Sequence, residues 1–186
     1  MRPNKMISVL IACLALVLFS SACGDTAKIE EANKFVDAAN KKADEAKTLI
    51  SAAATKFEAI TSDLDDFEEA RTAHEAEVKD LIKSYDKILD LQKGIASDYS
   101  EASKTNPNEK FKAYYDMSAK DAQKTGEVLA QSKASAQAIL DSKDTEAFAG
   151  KMLAIKAKLD SLTEESSELR GKLSTLETEV KALNAK

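Results

Sequence analysis

The sequence predicts an all-α protein whose long antiparallel helices form an elongated bundle, and three observations carry that prediction. Helix breakers are scarce among the 186 residues, with five glycines and two prolines, while Ala, Lys, Glu, Leu and Asp dominate. Apolar residues recur at heptad spacing over most of the length, as helices packed side by side require. No segment alternates apolar and polar residues with the period of a half-buried strand.

The N-terminus has a different design. Residues 1–5 carry Arg2 and Lys5 and no acid, residues 6–19 are almost wholly apolar, and Ser20, Ser21 and Ala22 are small. That is the three-part plan of a secretory signal peptide over residues 1–22. The apolar run falls short of the roughly 20 residues that a membrane-spanning helix needs. Cys23 follows directly. Residues 1–23 together resemble a bacterial lipoprotein signal, and the resemblance implies that Cys23 is the lipidation site. Lipid of the palmitate type would be joined to its sulfur and then to its new amino group. The implied address is the cell envelope, anchored to a membrane; in a cell with two membranes it is the outer one, facing the periplasm.

Residues 23–25 then form a short tether, because helix signals begin at Asp25-Thr26, and the helical domain spans 26–186. In the first helix, expected over 26–60, one row reads Ile29, Val36, Ala43, Ile50, Phe57, Leu64 and the other Ala32, Ala39, Ala46, Ala53, Ile60, Phe67. Large residues on one row and alanines on the other let a partner helix approach closely. The second helix, 63–104, continues the register through Val78, Leu81, Tyr85, Ile88, Ile95 and Tyr99, with Arg71 and His74 interrupting it.

A turn at Asn106-Pro107-Asn108-Glu109 follows, with Asn106 as the expected cap, Pro107 in the first helical position and Glu109 in the third. The third helix, 107–141, carries the small or hydroxylated core residues Ser118, Ala122, Thr125, Ser132 and Ala136, so it is expected to be the least stable. Asp144 caps the last helix, 144–185. Its rows, Phe148, Ile155, Leu162, Leu169, Leu176, Leu183 and Met152, Leu159, Ser166, Leu173, Val180, are the most regular in the chain.

Whether the chain also reverses at Thr61-Ser62-Asp63 separates two architectures. With that turn the helices form an up-down bundle about 50–60 Å long; without it, one helix of nearly 80 residues makes a coiled-coil hairpin of roughly 115 Å. The wide stripe at Leu81-Ile82 and Ile88-Leu89 favours the bundle.

Several classes of function are excluded by composition. Loss of the leader removes two bases and no acid, taking the net charge from −5 to −7, and the lysines are interleaved with acids along helix faces, so no nucleic-acid partner is expected. Cys13 leaves with the leader and Cys23 is acylated, so no thiol serves a disulfide, a metal or catalysis. His74, the one histidine, lacks the Glu-x-x-His pairing of a di-metal bundle. No metal, cofactor or catalytic residue is assigned, and a non-enzymatic role is the reading.

Tyr99, Phe111, Tyr114 and Tyr115 flank the Asn106-Pro107 turn and should gather at one end, either closing the core or meeting a partner. In the bundle that end lies near the membrane, whereas in the hairpin it is the far tip. The function that these features imply is that of a lipid-anchored scaffold, spacer or adaptor acting on an envelope protein through contact, with homo-oligomerisation left open.

Two other readings compete. A helical ligand-binding lipoprotein needs a concave pocket, which tight bundles rarely provide. Ala27-Lys28-Ile29 and a terminal lysine, Lys186, are similar to the murein lipoprotein family and imply a peptidoglycan-associated protein. Antiparallel helices, however, return Lys186 to the end that holds Cys23, away from the wall.

Overall fold

A computed structural model describes residues 25–62 and 67–184; the signal peptide, Cys23, Leu64 and Lys186 lie outside the described residues. The described chain is helical: α1 (Thr26–Thr61), α2 (Phe67–Ala73), α3 (Glu75–Thr105), α4 (Glu109–Asp141) and α5 (Thr145–Asn184). Long helices packed on one another form the all-α bundle that the heptads predict, and the hairpin alternative falls. The reversal after α1 is real. There the hydroxyl of Thr61 donates to the carbonyl of Phe57 (2.9 Å) and that of Ser62 to Ala59 (2.8 Å), bonding back into the last turn where backbone carbonyls lack helical partners. The pairs Lys42–Asp98 and Asn40–Tyr99 then show α1 and α3 running antiparallel.

The second helix, expected as one piece over 63–104, is two. It breaks at His74 (φ −98°, ψ 7°), where Arg71 and His74 interrupt the apolar register. The next turn also differs in detail from the sequence reading. Asn106 ends α3 in extended backbone, and its side chain accepts from the N–H of Asn108. Asn108, not Asn106, caps α4 by accepting from Lys110 and Phe111, which leaves Pro107 in the connection. Asp144 caps α5 as expected, accepting from the N–H of Ala147 at 2.8 Å.

Helix α3 packs along both α1 and α4, and α5 packs along α4. The alanine row of α1 fulfils its promise: Ala32, Ala39, Ala46 and Ala53 are at most 2% exposed. The outcome for the last two helices is the reverse of the expectation. Lying between α3 and α5, α4 buries ten residues, because its small side chains let neighbours close on both sides. On α5 only Leu162, Ser166 and Val180 are buried, and the remaining seam residues, Leu169 and Leu173 among them, are half-buried.

The interior divides into two apolar clusters. One, at the end where α1 begins, joins Val36, Ala39 and Ala46 to Ile95, Tyr99, Tyr115 and Ala122. The other, at the far end, is aliphatic and joins Ala53 and Ile60 to Val78, Leu81, Ile88, Leu129 and Ile139. Between them Gln92, Thr125 and Ser166 are buried, a polar waist at mid-length. The Oγ of Ser166 has no hydrogen-bond partner in the structure, and an unpaired buried hydroxyl costs about 1–3 kcal/mol.

Candidate functional site

The turn between α3 and α4 brings the four aromatic residues of the sequence reading together. Pro107 stops one helix, Asn108 starts the next, and the helical period then puts Tyr99 opposite Phe111 and Tyr115. Ring centroids of Tyr99 and Tyr115 stand 6.3 Å apart, those of Phe111 and Tyr115 6.0 Å, and those of Tyr114 and Tyr115 5.6 Å. These are the spacings of attractive offset and tilted ring pairs. Helix α1 supplies Val36 and Asn40 to the same group, and the hydroxyl of Tyr99 donates to Oδ1 of Asn40 at 3.2 Å. From α5 comes Val180.

Depth divides the four. Tyr99 and Tyr115 are each 4% exposed and belong to the core, whereas Phe111 and Tyr114 are half-buried against it. Of the four rings, only Phe111 and Tyr114 reach the surface. The crevice among these rings has about 10 Å³ of room, no more than one water molecule occupies. Burial, with the Tyr114 hydroxyl nearby, pushes the Tyr115 phenol up to about 12, so it stays neutral and is no base or nucleophile near pH 7. The arrangement is a rigid, closed end with two rings at its rim. Val36 lies about 15 Å along the axis from the start of α1, so this end of the body is the one nearest Cys23 in the chain.

At the far end, the residues that interrupt the register have structural work. Nη1 of Arg71 donates to the carbonyl of Ser142 (3.3 Å), and Nζ of Lys151 donates to that of Asp141 (2.7 Å). Two cations thus sit on the C-terminus of α4, where the helix dipole favours them. Phe67 stacks on Phe148, with centroids 5.1 Å apart, and so ties α2 to α5. His74 pairs with Glu77 through Nδ1 and Oε2 at 2.7 Å. The role of Arg71 was beyond sequence reasoning, since its partner lies 71 residues away.

An open groove of about 530 Å³ runs between α1 and α3, lined by Lys42, Glu45, Lys87, Asp90 and Leu91. Its charges are paired, Lys42 with Asp98, Lys87 with Glu45 and Asp90 with Lys93, and Lys42 crosses α3 over Gly94, where a Cβ would come within 3.1 Å of its Cδ. Among the described residues no group of three or more His, Cys, Asp or Glu could hold a metal ion, and no helix is long and apolar enough to cross a membrane.

No family model, curated protein or solved structure matches this chain. Function is therefore argued from the chain's own residues.

Proposed function

We propose that the chain is a membrane-anchored envelope lipoprotein that acts as a helical scaffold, spacer or adaptor through protein contacts. The observation that carries this reading is the junction between address and body. Cys23 ends a segment with the plan of a lipoprotein signal, and α1 begins at Thr26, three residues later. Such a tether reaches only about 10 Å, so the bundle stands directly on the bilayer. With α1 at 36 residues, the body extends about 54 Å from the surface.

In a cell with two membranes the anchor is in the outer one, and the body faces the periplasm. Phe111 and Tyr114 then lie at the membrane-proximal end, where a partner would itself be an envelope protein. Geometry opposes the wall-linked alternative, because Val180, near the end of α5, lies beside Val36 and Tyr99 at the anchor's side of the body.

Fractionation of cells expressing the native chain and Cys23→Ser tests the proposal. The native protein should be in the membrane fraction with its N-terminus blocked at Cys23, and Cys23→Ser should carry no lipid and leave that fraction. An intact Met1 on the mature native protein would overturn it.

A further inference from the structure

Helix α5 holds the most regular heptad in the chain and the least buried one. Leucines recur every seventh residue at Leu162, Leu169, Leu176 and Leu183, yet of these only Leu162 is buried. Three of the contacts that hold this helix to α4 are charged, Lys110 on Glu179, Asp121 on Arg170, and Lys124 on Glu165, beside the apolar contacts of Phe148 with Phe67 and the burial of Val180 near Val36 and Tyr99. In the other row of the same seam stands Ser166, 6% exposed, with its Oγ lacking a hydrogen-bond partner.

One occupant satisfies all of these features. We propose that α5 exchanges its hold on α4 for the α5 of a second copy of this chain, pairing in parallel. In a parallel two-helix coiled coil each core position faces its own equivalent, and flanking residues pair with those five positions later on the partner helix. The leucine row then meets itself, and Ser166 meets Ser166 of the other copy, so that each orphan hydroxyl gains a partner. A single polar core position of this kind fixes register and strand number.

The flanking charges agree around that layer: Glu165 meets Arg170, and Lys172 meets Glu177, each twice by symmetry. Lys151 meets Lys156, which repel, so pairing is confined to the stretch from Leu159 to Leu183. Glu165 and Arg170 are also residues that bind α4, which makes the two states mutually exclusive. The parallel sense rests on the proposed anchoring, since copies tethered through Cys23 to one membrane present α5 in the same direction.

The test uses the full-length chain with Cys13 replaced by serine and Cys23 kept, so that copies stay tethered to one membrane and, with Cys23 acylated, an introduced cysteine is the sole thiol. Ser166→Cys and Leu183→Cys, oxidised in detergent extract, should each form a disulfide-linked dimer at about fivefold or greater yield than Ser167→Cys, because only core positions approach within bridging distance. Leu183 is near its equivalent in a parallel pair alone. Absence of the dimer at either core position, or equal yield at position 167, would overturn the proposal. Failure of the lipid anchor would appear separately, as native protein outside the membrane fraction.

Discussion

Helices α4 and α5 lie side by side with opposite sequences and opposite burial. The core positions of α4 are small or hydroxylated, and it buries ten residues, from Tyr115 to Ile139. Those of α5 are mostly large aliphatics, and it buries three. The difference teaches that burial follows the number of neighbours more than the size of the side chain. Serines and alanines let α4 fit between α3 and α5, whereas the leucines of α5, at the margin of the bundle, are covered mainly from one side. Size still matters at each contact, but position decides how many contacts there are.

Truncation of one residue in each helix should give the largest contrast. Ile139 on α4 is fully buried in the aliphatic cluster, so Ile139→Ala should cost about 2–5 kcal/mol in urea unfolding. Leu169 on α5 is half-buried, and Leu169→Ala should cost about 1 kcal/mol, close to half of what full burial of a leucine is worth. Equal losses would break the comparison.

A smaller effect should come from the charges between the two helices. Burial raises the Asp121 carboxyl above the ordinary Asp range, and Arg170 offsets this only in part. An acid raised in this way stabilises the fold while protonated, and that contribution is lost as pH rises past its ordinary value of 3.8. Glu165, lowered by Lys124, does the opposite: its contribution is present above 4.5 and lost as pH falls. The two trends oppose, so each masks part of the other in the native protein. Asp121→Asn removes one of them. The urea midpoint of that variant should then rise with pH from about 3 to 5 more steeply than that of the native protein; an unchanged profile would remove Asp121 from the account.

Much of this fold was legible in the sequence, for identifiable reasons. Heptads locate helices well, because the apolar stripe is the local cause of packing; hence α1, α4 and α5 begin and end within a few residues of the expected positions. Asp144 was readable as a cap because acceptor and N–H are three residues apart. Asn106 and Asn108 were not distinguishable, since both flank Pro107 and either can cap. The break at His74 was hidden by the absence of glycine or proline, whereas the reversal after Thr61 was legible as one of two alternatives, since Thr61-Ser62-Asp63 offers a turn while the apolar register runs on to Phe67.

What periodicity could not convey was rank. A stripe reports that a face is apolar, not how many helices cover it, so the small residues of α4 point to the least stable helix and the rows of α5 to the most regular seam. The gathering of Tyr99, Phe111, Tyr114 and Tyr115 followed from the turn, while their division into two buried and two half-buried rings depended on Val36, Asn40 and Val180 from distant segments.

Native-state hydrogen exchange of the intact protein tests most directly the claim that α4, like α3, belongs to the centre of the bundle and α5 to its margin. Amides of α4 between Tyr115 and Ile139 should exchange slowest, at a rate set by global unfolding, and those of α5 between Ile155 and Val180 should exchange earlier through local opening. Protection of α5 equal to or greater than that of α4 would contradict the account.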